Sequence, residues 1–442
     1  MKIAYISQWG LGLTLACQMQ DYGHDVRFYV DDKDSQDVGD GFITKEKDWK
    51  SLVGWCDYVI ADDTHLTKFT DAFREKKIPV IGGTKMTDVM EDDRGAGQKM
   101  FKAAGLNILE SQEFKSIEEA IEYVRDNPKP YVIKVSGKAQ NDKTSTYVGE
   151  MEDGSDIVPI LEHMSKKMEK GVSSVEIQEK VDGLEVGVGG IFNGEKFVGP
   201  IEIDWEHKKL MSWHTQSGMG PNTGEMGTVS VWAEQDTPLF QKIIVPMIKP
   251  LKAMGFHGFF NINCIIADGK IYPLEETNRF GWPTLPMEIE TMKENDLGQF
   301  FFDVASGKDC TFEVTYPWSV CVVVGVPPLP YMNDEIFEKY SKDMPVMFRD
   351  GLAPEGIYPG EAKIEDDQWR VAGSSGCLAV AAAGGHSIEE CQEAAYDIAD
   401  QVIAPSKMIR DDIGRTVQES YDKLQEMGLM GAEEEDLVED PI

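Results

Sequence analysis

The stretch GFFNINCIIADGKIYPLEETNRFGWPT, residues 258 to 284, sets amides, carboxylates and an arginine on two extended runs joined by Asp268-Gly269, a hairpin signal. Two registers are open. A two-residue turn pairs Ile266 with Ile271 and puts Glu275 opposite Ile262. A three-residue loop, with Gly269 in a bulge, pairs Ile266 with Tyr272, Asn263 with Glu275 and Asn261 with Thr277. The second is preferred because side chains alternate along a strand, so Asn261, Asn263, Glu275 and Thr277 then share one face. Such a face suits Mg2+ (or Mn2+) bound to phosphate, since Mg2+ takes few protein oxygens and fills its other positions with water and phosphate. Glu275, Asn263 and Thr277 are therefore the candidate metal group, and Arg279 just beyond them a candidate catalytic cation. The same residues taken alone also suit a solvated edge hairpin.

Other positions extend this chemistry. Lys134 lies among Val132, Ile133 and Val135 in PYVIKVSG, where an unpaired ammonium is costly and a phosphate would justify it. The polar segment from Gly137 to Thr146 suits a lid over phosphates or an exposed loop. In VEIQEKVDGLEV the break at Val181 to Gly183 can offer backbone groups to an adenine edge, and Glu185 can accept from ribose hydroxyls. Gly218, Gly220, Gly224 and Gly227 are too dense for a strand or helix interior and imply close backbone approach to a ligand. Gly10 and Gly12 follow the first strand, where amides at a helix N-terminus can face an anion. With Asp31 and Asp32 they make half a dinucleotide fingerprint, but Leu15 occupies the third glycine position, which favours a substrate-lining turn over a nicotinamide site. Asp62, Asp63 and His65 stand at the end of a later strand, as ligand groups or as helix caps.

The elements that must carry these residues form three expected domains. Residues 1 to 93 alternate strand and helix, as a doubly wound α/β domain does. Residues 94 to 305 hold the amphipathic helix SIEEAIEYVRDN, the strands named above and FQKIIVPMIKPLKAMG, read as one helix. Residues 306 to 430 are read as a mixed domain with the strands WSVCVVVGV and GCLAVAAAGG and a helix capped by Ser387, and 431 to 442 as an acidic tail. With 43 Lys+Arg against 78 Asp+Glu the formal charge is -35, which repels nucleic acid and anionic membrane surfaces. An anionic substrate then needs a local basic pocket and a metal ion. Seven cysteines without a CxxC pair, and seven histidines without metal-binding spacing, point to a reducing compartment and away from zinc. The N-terminus reads directly into a strand, and no apolar run is long enough to span a membrane. A cytoplasmic protein is expected.

The order of these motifs resembles the ATP-grasp ligases, and among them the glycinamide ribonucleotide synthetases, up to about residue 425. Gly220 to Gly227 (GPNTGEMG) is the most specific match. Glu179 to Glu185 (EKVDGLE), Arg279-Phe280-Gly281 after Glu275, GGHS at 384 to 387 and Asp412-Ile413-Gly414 support it. The resemblance implies an ATP-grasp fold of α/β and α+β parts, with ATP and Mg2+ as cofactors. It implies that Arg94 and Lys134 hold the ATP phosphates and that Gln178, Glu179 and Val181 meet adenine. Glu185 would bind ribose, and Glu275 or the neighbouring Glu276 would hold metal. Gly10, Gly12, Lys208, Gly220, Pro221, Asn222, Thr223 and Gly224 would line the substrates. Departures are Arg94 for a lysine, Thr277 for an asparagine, a lid without its glycines, and Trp9 to Leu13 in place of Gly-Gly-Arg-Glu-His. The implied activity joins an amino acid, by default glycine, to an amine through an acyl phosphate. A phosphotransferase of the same fold, a non-catalytic nucleotide-binding protein and a nicotinamide oxidoreductase are the alternatives. The amine and the choice of monomer or dimer are open.

Overall fold

A computed structural model describes residues 1–137, 146–167, 172–212 and 218–431. The expected lid and the acidic tail lie almost wholly outside these residues. The chain opens with β1 (Lys2–Ser7), α1 (Leu13–Asp21), β2 (Asp25–Val30), β3 (Tyr58–Ala61), α2 (Thr67–Glu75) and β4 (Val80–Ile81). Their sheet is parallel in the order β2-β1-β3-β4. This is the α/β alternation read from the sequence: continuous apolar strands such as KIAYIS are buried on both faces because helices cover them.

Next come α3 (Lys85–Asp92), α4 (Arg94–Ala103), β5 (Ser111–Phe114), α5 (Ile117–Asp126), β6 (Tyr131–Gly137), β7 (Tyr147–Val148), α6 (Ile157–Lys167) and β8 (Val172–Glu179). The strands form an antiparallel sheet, β5-β8-β6-β7, with its own core of Phe114, Ile121, Val124, Ile133, Leu161 and Ile177. Ile133 turns into that core, so Lys134 must face the other side, where it pairs across to Glu176.

The large sheet uses β9 (Leu184–Phe192), β10 (Phe197–Glu206), β13 (Gly227–Ala233), β14 (Gly258–Ala267), β15 (Lys270–Thr277), β16 (Trp318–Gly325), β18 (Ile357–Pro359) and β21 (Cys377–Gly385), in the order β15-β14-β9-β10-β13-β16-β21-β18. Strands on both sides of residue 306 thus belong to one sheet. The two-stranded ribbon β11 (Lys209–Met211) and β12 (Met219–Asn222) leaves it between β10 and β13. Gly218, Gly220, Gly224 and Gly227 all have positive φ. Met219–Asn222 is nevertheless a strand, which the glycine density argued against.

The run read as one helix is two, α7 (Pro238–Ile243) and α8 (Ile248–Met254), with a short 3-10 turn at Val245–Met247 between them. Pro246 cannot donate to a continuous helix, which is why the ladder breaks there. Beyond β15 lie α9 (Thr284–Met292) and α10 (Leu297–Ala305). Further on are α11 (Asp334–Tyr340), the small sheet of β17 (Pro345–Phe348), β19 (Ala362–Glu365), β20 (Gln368–Val371) and β22 (Val402–Ile403), α12 (Ile388–Gln401) and α13 (Val417–Glu426). Ser387 caps α12 by accepting from the Glu390 amide at 3.2 Å, as expected. One face of the large sheet is the main core, where Trp205, Phe260, Ile262 and Val322 are fully buried. Among the described residues no helix is long and apolar enough to cross a membrane.

The hairpin β14-β15 combines the two registers. Ala267 pairs with Lys270 and Ile266 with Ile271, so the turn is the two-residue Asp268-Gly269, both with positive φ. The expected Ile266–Tyr272 pair does not form. A bulge then opens at Leu274, between the Cys264–Pro273 and Asn263–Glu275 pairs, and restores the pairing of Asn263 with Glu275 and of Asn261 with Thr277. The extra residue sits in the strand, not in the turn. A Cβ at Gly269 would meet nothing within 4 Å, so Gly269→Ala should cost only its left-handed backbone strain, about 1–2 kcal/mol. Urea melts should show that loss while activity is unchanged, because the bulge fixes the position of Glu275.

Candidate functional site

One face of the large sheet is polar where the other is core. Crossing it from β15, paired residues run Glu275, Asn263, Gly187, Asp204, Ser230 and Ser319. The row beside it runs Thr277, Asn261, Gly189 and Glu202. Asn261 Nδ2 donates to Asp204 at 2.7 Å, and Asn263 Nδ2 to Glu206 at 3.1 Å.

Lys208 gathers the acids at one end of this face. Its Nζ lies 2.9 Å from Glu185, 3.1 Å from Glu206 and 3.5 Å from Glu275. Burial alone would lower its pKa, but the three carboxylates outweigh it and hold the ammonium charged. Lys208 in turn pulls Glu275 down to about 2, against burial, with Arg94 and Lys134 adding to the effect. Lys134 is 9% exposed, and burial followed by repulsion from Arg94 lowers its pKa despite Glu176 and Glu275. Arg94 stands at the start of α4, capped by Asp93, and its buried Nε has no hydrogen-bond partner among the described residues. Arg94, Lys134 and Lys208 therefore converge on Glu275: three cations and an ionised carboxylate, with a guanidinium donor left unsatisfied. That is a setting for a polyanion bridged by a metal ion.

The remaining expected residues fall in three places. Gln178 and Glu179 end β8; Gln178 is buried beside Ser111 and Val132, and Glu179 pairs with Lys129 at 3.4 Å. Val181 lies in the break before Glu185, whose link to Lys208 ties the nucleoside end expected there to the phosphate end. Thr223 anchors the glycine-rich loop on Lys208, its amide and hydroxyl donating to the Lys208 carbonyl at 2.9 and 3.1 Å. Gly220, Pro221 and Asn222 lie in β12, and Gly224 follows the anchor.

Arg279 joins the N-terminal domain to the site, its Nε 3.1 Å from Asp63 and 3.2 Å from Glu91. Gly10 and Gly12 are buried rather than open to a ligand. A Cβ on Gly12 would lie 2.2 Å from both an Asp62 oxygen and the Tyr5 hydroxyl, so the protein's own carboxylate fills the place expected for an anion. Burial, then Asp63, raises Asp62 to about 7.

Reasoning from sequence missed Glu202, Asp204, Glu206, Glu225 and Glu288. A signal for three of them was present in IEIDWE, whose acids recur at every second residue along one strand. Glu276 points away from this face, is 5% exposed, and stands above its ordinary value at about 8 because of burial and then Glu91.

The architecture is that of solved ATP-grasp enzymes. It matches phosphoribosylamine–glycine ligase from Thermotoga maritima with a TM-score of 0.71 at 21% identity, covering 93% of this chain and all of that one. A biotin carboxylase from Campylobacter jejuni gives a TM-score of 0.62 at 11% identity over 96% of each chain. The fold is thus the ATP-grasp fold. The sequence model described as phosphoribosylglycinamide synthetase, ATP-grasp (A) domain, matches residues 95–284. Curated relatives include the phosphoribosylamine–glycine ligases of Lactococcus lactis, 25% identical over 78% of this chain and 80% of its own length, and of Salmonella typhimurium, 28% identical over 78% and 79%.

The two neighbouring glutamates should behave oppositely. Glu275→Gln should lower turnover about 100-fold or more, and Glu276→Gln should leave it within about threefold. Because Glu276 is raised from 4.5 to about 8 in the folded protein, the folded state keeps a proton that the unfolded chain loses. Its contribution to stability is therefore complete below about pH 4.5 and is lost as the pH rises towards about 8. Thermal melts from pH 5 to 8.5 should show a flatter decline in Glu276→Gln than in the wild type.

Proposed function

We propose that this chain couples ATP hydrolysis to amide formation between glycine and phosphoribosylamine, with Mg2+ (or Mn2+) as the metal. The observation that carries the reading is the convergence of Arg94, Lys134 and Lys208 on the ionised Glu275. The names of the relatives support the two substrates. A carboxylate resists attack by an amine because oxide is a very poor leaving group. Transfer of the γ-phosphoryl group to the carboxylate makes an acyl phosphate and releases ADP. The amine then attacks the acyl carbon, the C–O bond to phosphate breaks, the amine loses its proton and phosphate departs.

The residues act mainly by position and charge. Arg94 and Lys134 hold phosphate oxygens, and the buried, unpartnered Nε of Arg94 fits that task. Glu275, ionised at any working pH, would hold the metal with Asn263 and Thr277 beside it; when bound, the ion neutralises charge on the transferring phosphoryl group. Asn263 gives its amide protons to Glu206 and so keeps its carbonyl oxygen for another partner. Gln178, Glu179 and Val181 take the adenine, and Glu185 the ribose. Gly220 to Gly224, fixed to the Lys208 backbone, orient the acyl group. Arg279, held by Asp63 and Glu91, orders the wall where the N-terminal domain brings in the amine.

The test is a product mass. With ATP, Mg2+, glycine and freshly generated phosphoribosylamine, the chain should release ADP and phosphate in equal amounts and form the amide with loss of one water from the two substrates. ADP release without amide would point to a phosphotransferase, and no ADP release would overturn the reading. Lys134→Met should lower kcat/KM for ATP about 100-fold through loss of a charged hydrogen bond.

A further inference from the structure

The polar face holds more carboxyl groups than the phosphate end can use. Beyond the row from Glu275 to Asp204, α9 crosses the same face. Trp232 Nε1 donates to Thr291 of α9 at 2.8 Å, and Glu288, one turn earlier on that helix, meets Glu202. Glu202 is 0% exposed, Asp204 3% and Glu288 4%. Glu225, from the GPNTGEMG loop, is half-buried and faces Glu206 and Asp204. Both carboxylate oxygens of Glu202, Oε1 of Glu288 and Oε1 of Glu225 are buried with no well-formed hydrogen bond among the described residues. No ion pair reaches any of the four acids among those residues, because the Lys208 ammonium goes to Glu185, Glu206 and Glu275.

We propose that Glu202, Asp204, Glu225 and Glu288 form a subsite for a primary ammonium group carried by a substrate. The inference rests on the ligase reading, in which both the amino acid and the acceptor bring an amine. An ammonium has three N–H donors and a charge concentrated at one atom, which matches several orphaned acceptors close to one another. Among the described residues no group of three or more His, Cys, Asp or Glu side chains is arranged to hold a metal ion, so the acids are set out for hydrogen bonding rather than coordination. Asp204 is oriented by Asn261, and it fits only because its neighbour is Gly187, where a Cβ would lie 2.3 Å from both Asp204 oxygens. The pair Glu275 and Asp204 lies three strand spacings apart, about 14 Å along the sheet, a separation that a small substrate and the intervening side chains span. Burial pushes all four carboxyls up, Glu288 to about 7. An entering ammonium, with its single positive charge, displaces one of the protons they hold.

Calorimetry on the full chain with Mg2+ and a non-hydrolysable ATP analogue tests this. One arm compares glycine with acetate, the other ethanolamine with ethylene glycol. In one arm the ammonium compound should bind and release protons at pH 7, read from the dependence of the heat on buffer, and its partner lacking nitrogen should not. The arm that responds identifies the substrate that carries the group. Glu202→Gln and Glu288→Gln should each weaken that binding at least tenfold and leave the affinity for the ATP analogue unchanged. Binding without proton release in the wild type, or affinities in both variants within twofold of the wild type, would overturn the proposal and make the acids a proton-sharing structural pair. The wild-type proton measurement stands even if a variant fails to fold. Failure of the ligase reading would appear separately, as no ADP release by a wild type that still binds the ammonium compound.

Discussion

The contact on which the rest of the site depends is the Lys208 ammonium among Glu185, Glu206 and Glu275. It lets an acidic face form part of the proposed phosphate site in a chain of formal charge -35. Without that ammonium, Glu275 would share a face with Glu206 and Glu185 with only the weaker pull of Arg94 and Lys134 to set against burial, which favours its protonated form. With it, Glu275 is held at about 2 and stays a carboxylate. The Lys208 backbone has a second task, since its carbonyl anchors Thr223 and so the glycine-rich loop. One residue thus fixes both the acid end and the loop.

The geometry of the large sheet makes this possible. Its apolar face buries Trp205, Phe260 and Ile262, so the alternate positions of the same strands must face the site. Trp205 lies between Asp204 and Glu206, and the packing of that indole commits both acids to the polar face. Gly187 and Gly189 leave room between the rows of side chains. The antiparallel sheet β5-β8-β6-β7 brings Lys134, α4 brings Arg94, and the N-terminal domain is tied in through Asp63, Glu91 and Arg279.

Much of this was legible in the chain because the physics is local. Period-2 patterns gave the strands, Ser387 gave a helix start, and a lysine among valines and isoleucines flagged Lys134. The pairing of Asn263 with Glu275 was read correctly, but for a wrong local reason. The extra residue lies at Leu274, and a bulge inside a strand leaves no signal comparable to Asp-Gly in a turn. Pro246 was there to break α7 from α8, yet the apolar spacing around it read as continuous. The acids of β10 were overlooked because their meaning depends on what covers them, and Glu288 comes from a helix more than 80 residues later. The burial of Gly12 against Asp62 was equally out of reach, being a contact between the start of α1 and the end of β3.

The central claim is that this face activates a carboxylate with ATP before any amine is joined. It is tested most directly by positional isotope exchange in ATP labelled with oxygen-18 at the β,γ bridge, incubated with the protein, Mg2+ and glycine alone. Reversible acyl phosphate formation predicts that the label scrambles into non-bridging β positions only when glycine is present. No scrambling with glycine, or equal scrambling without it, would contradict the account.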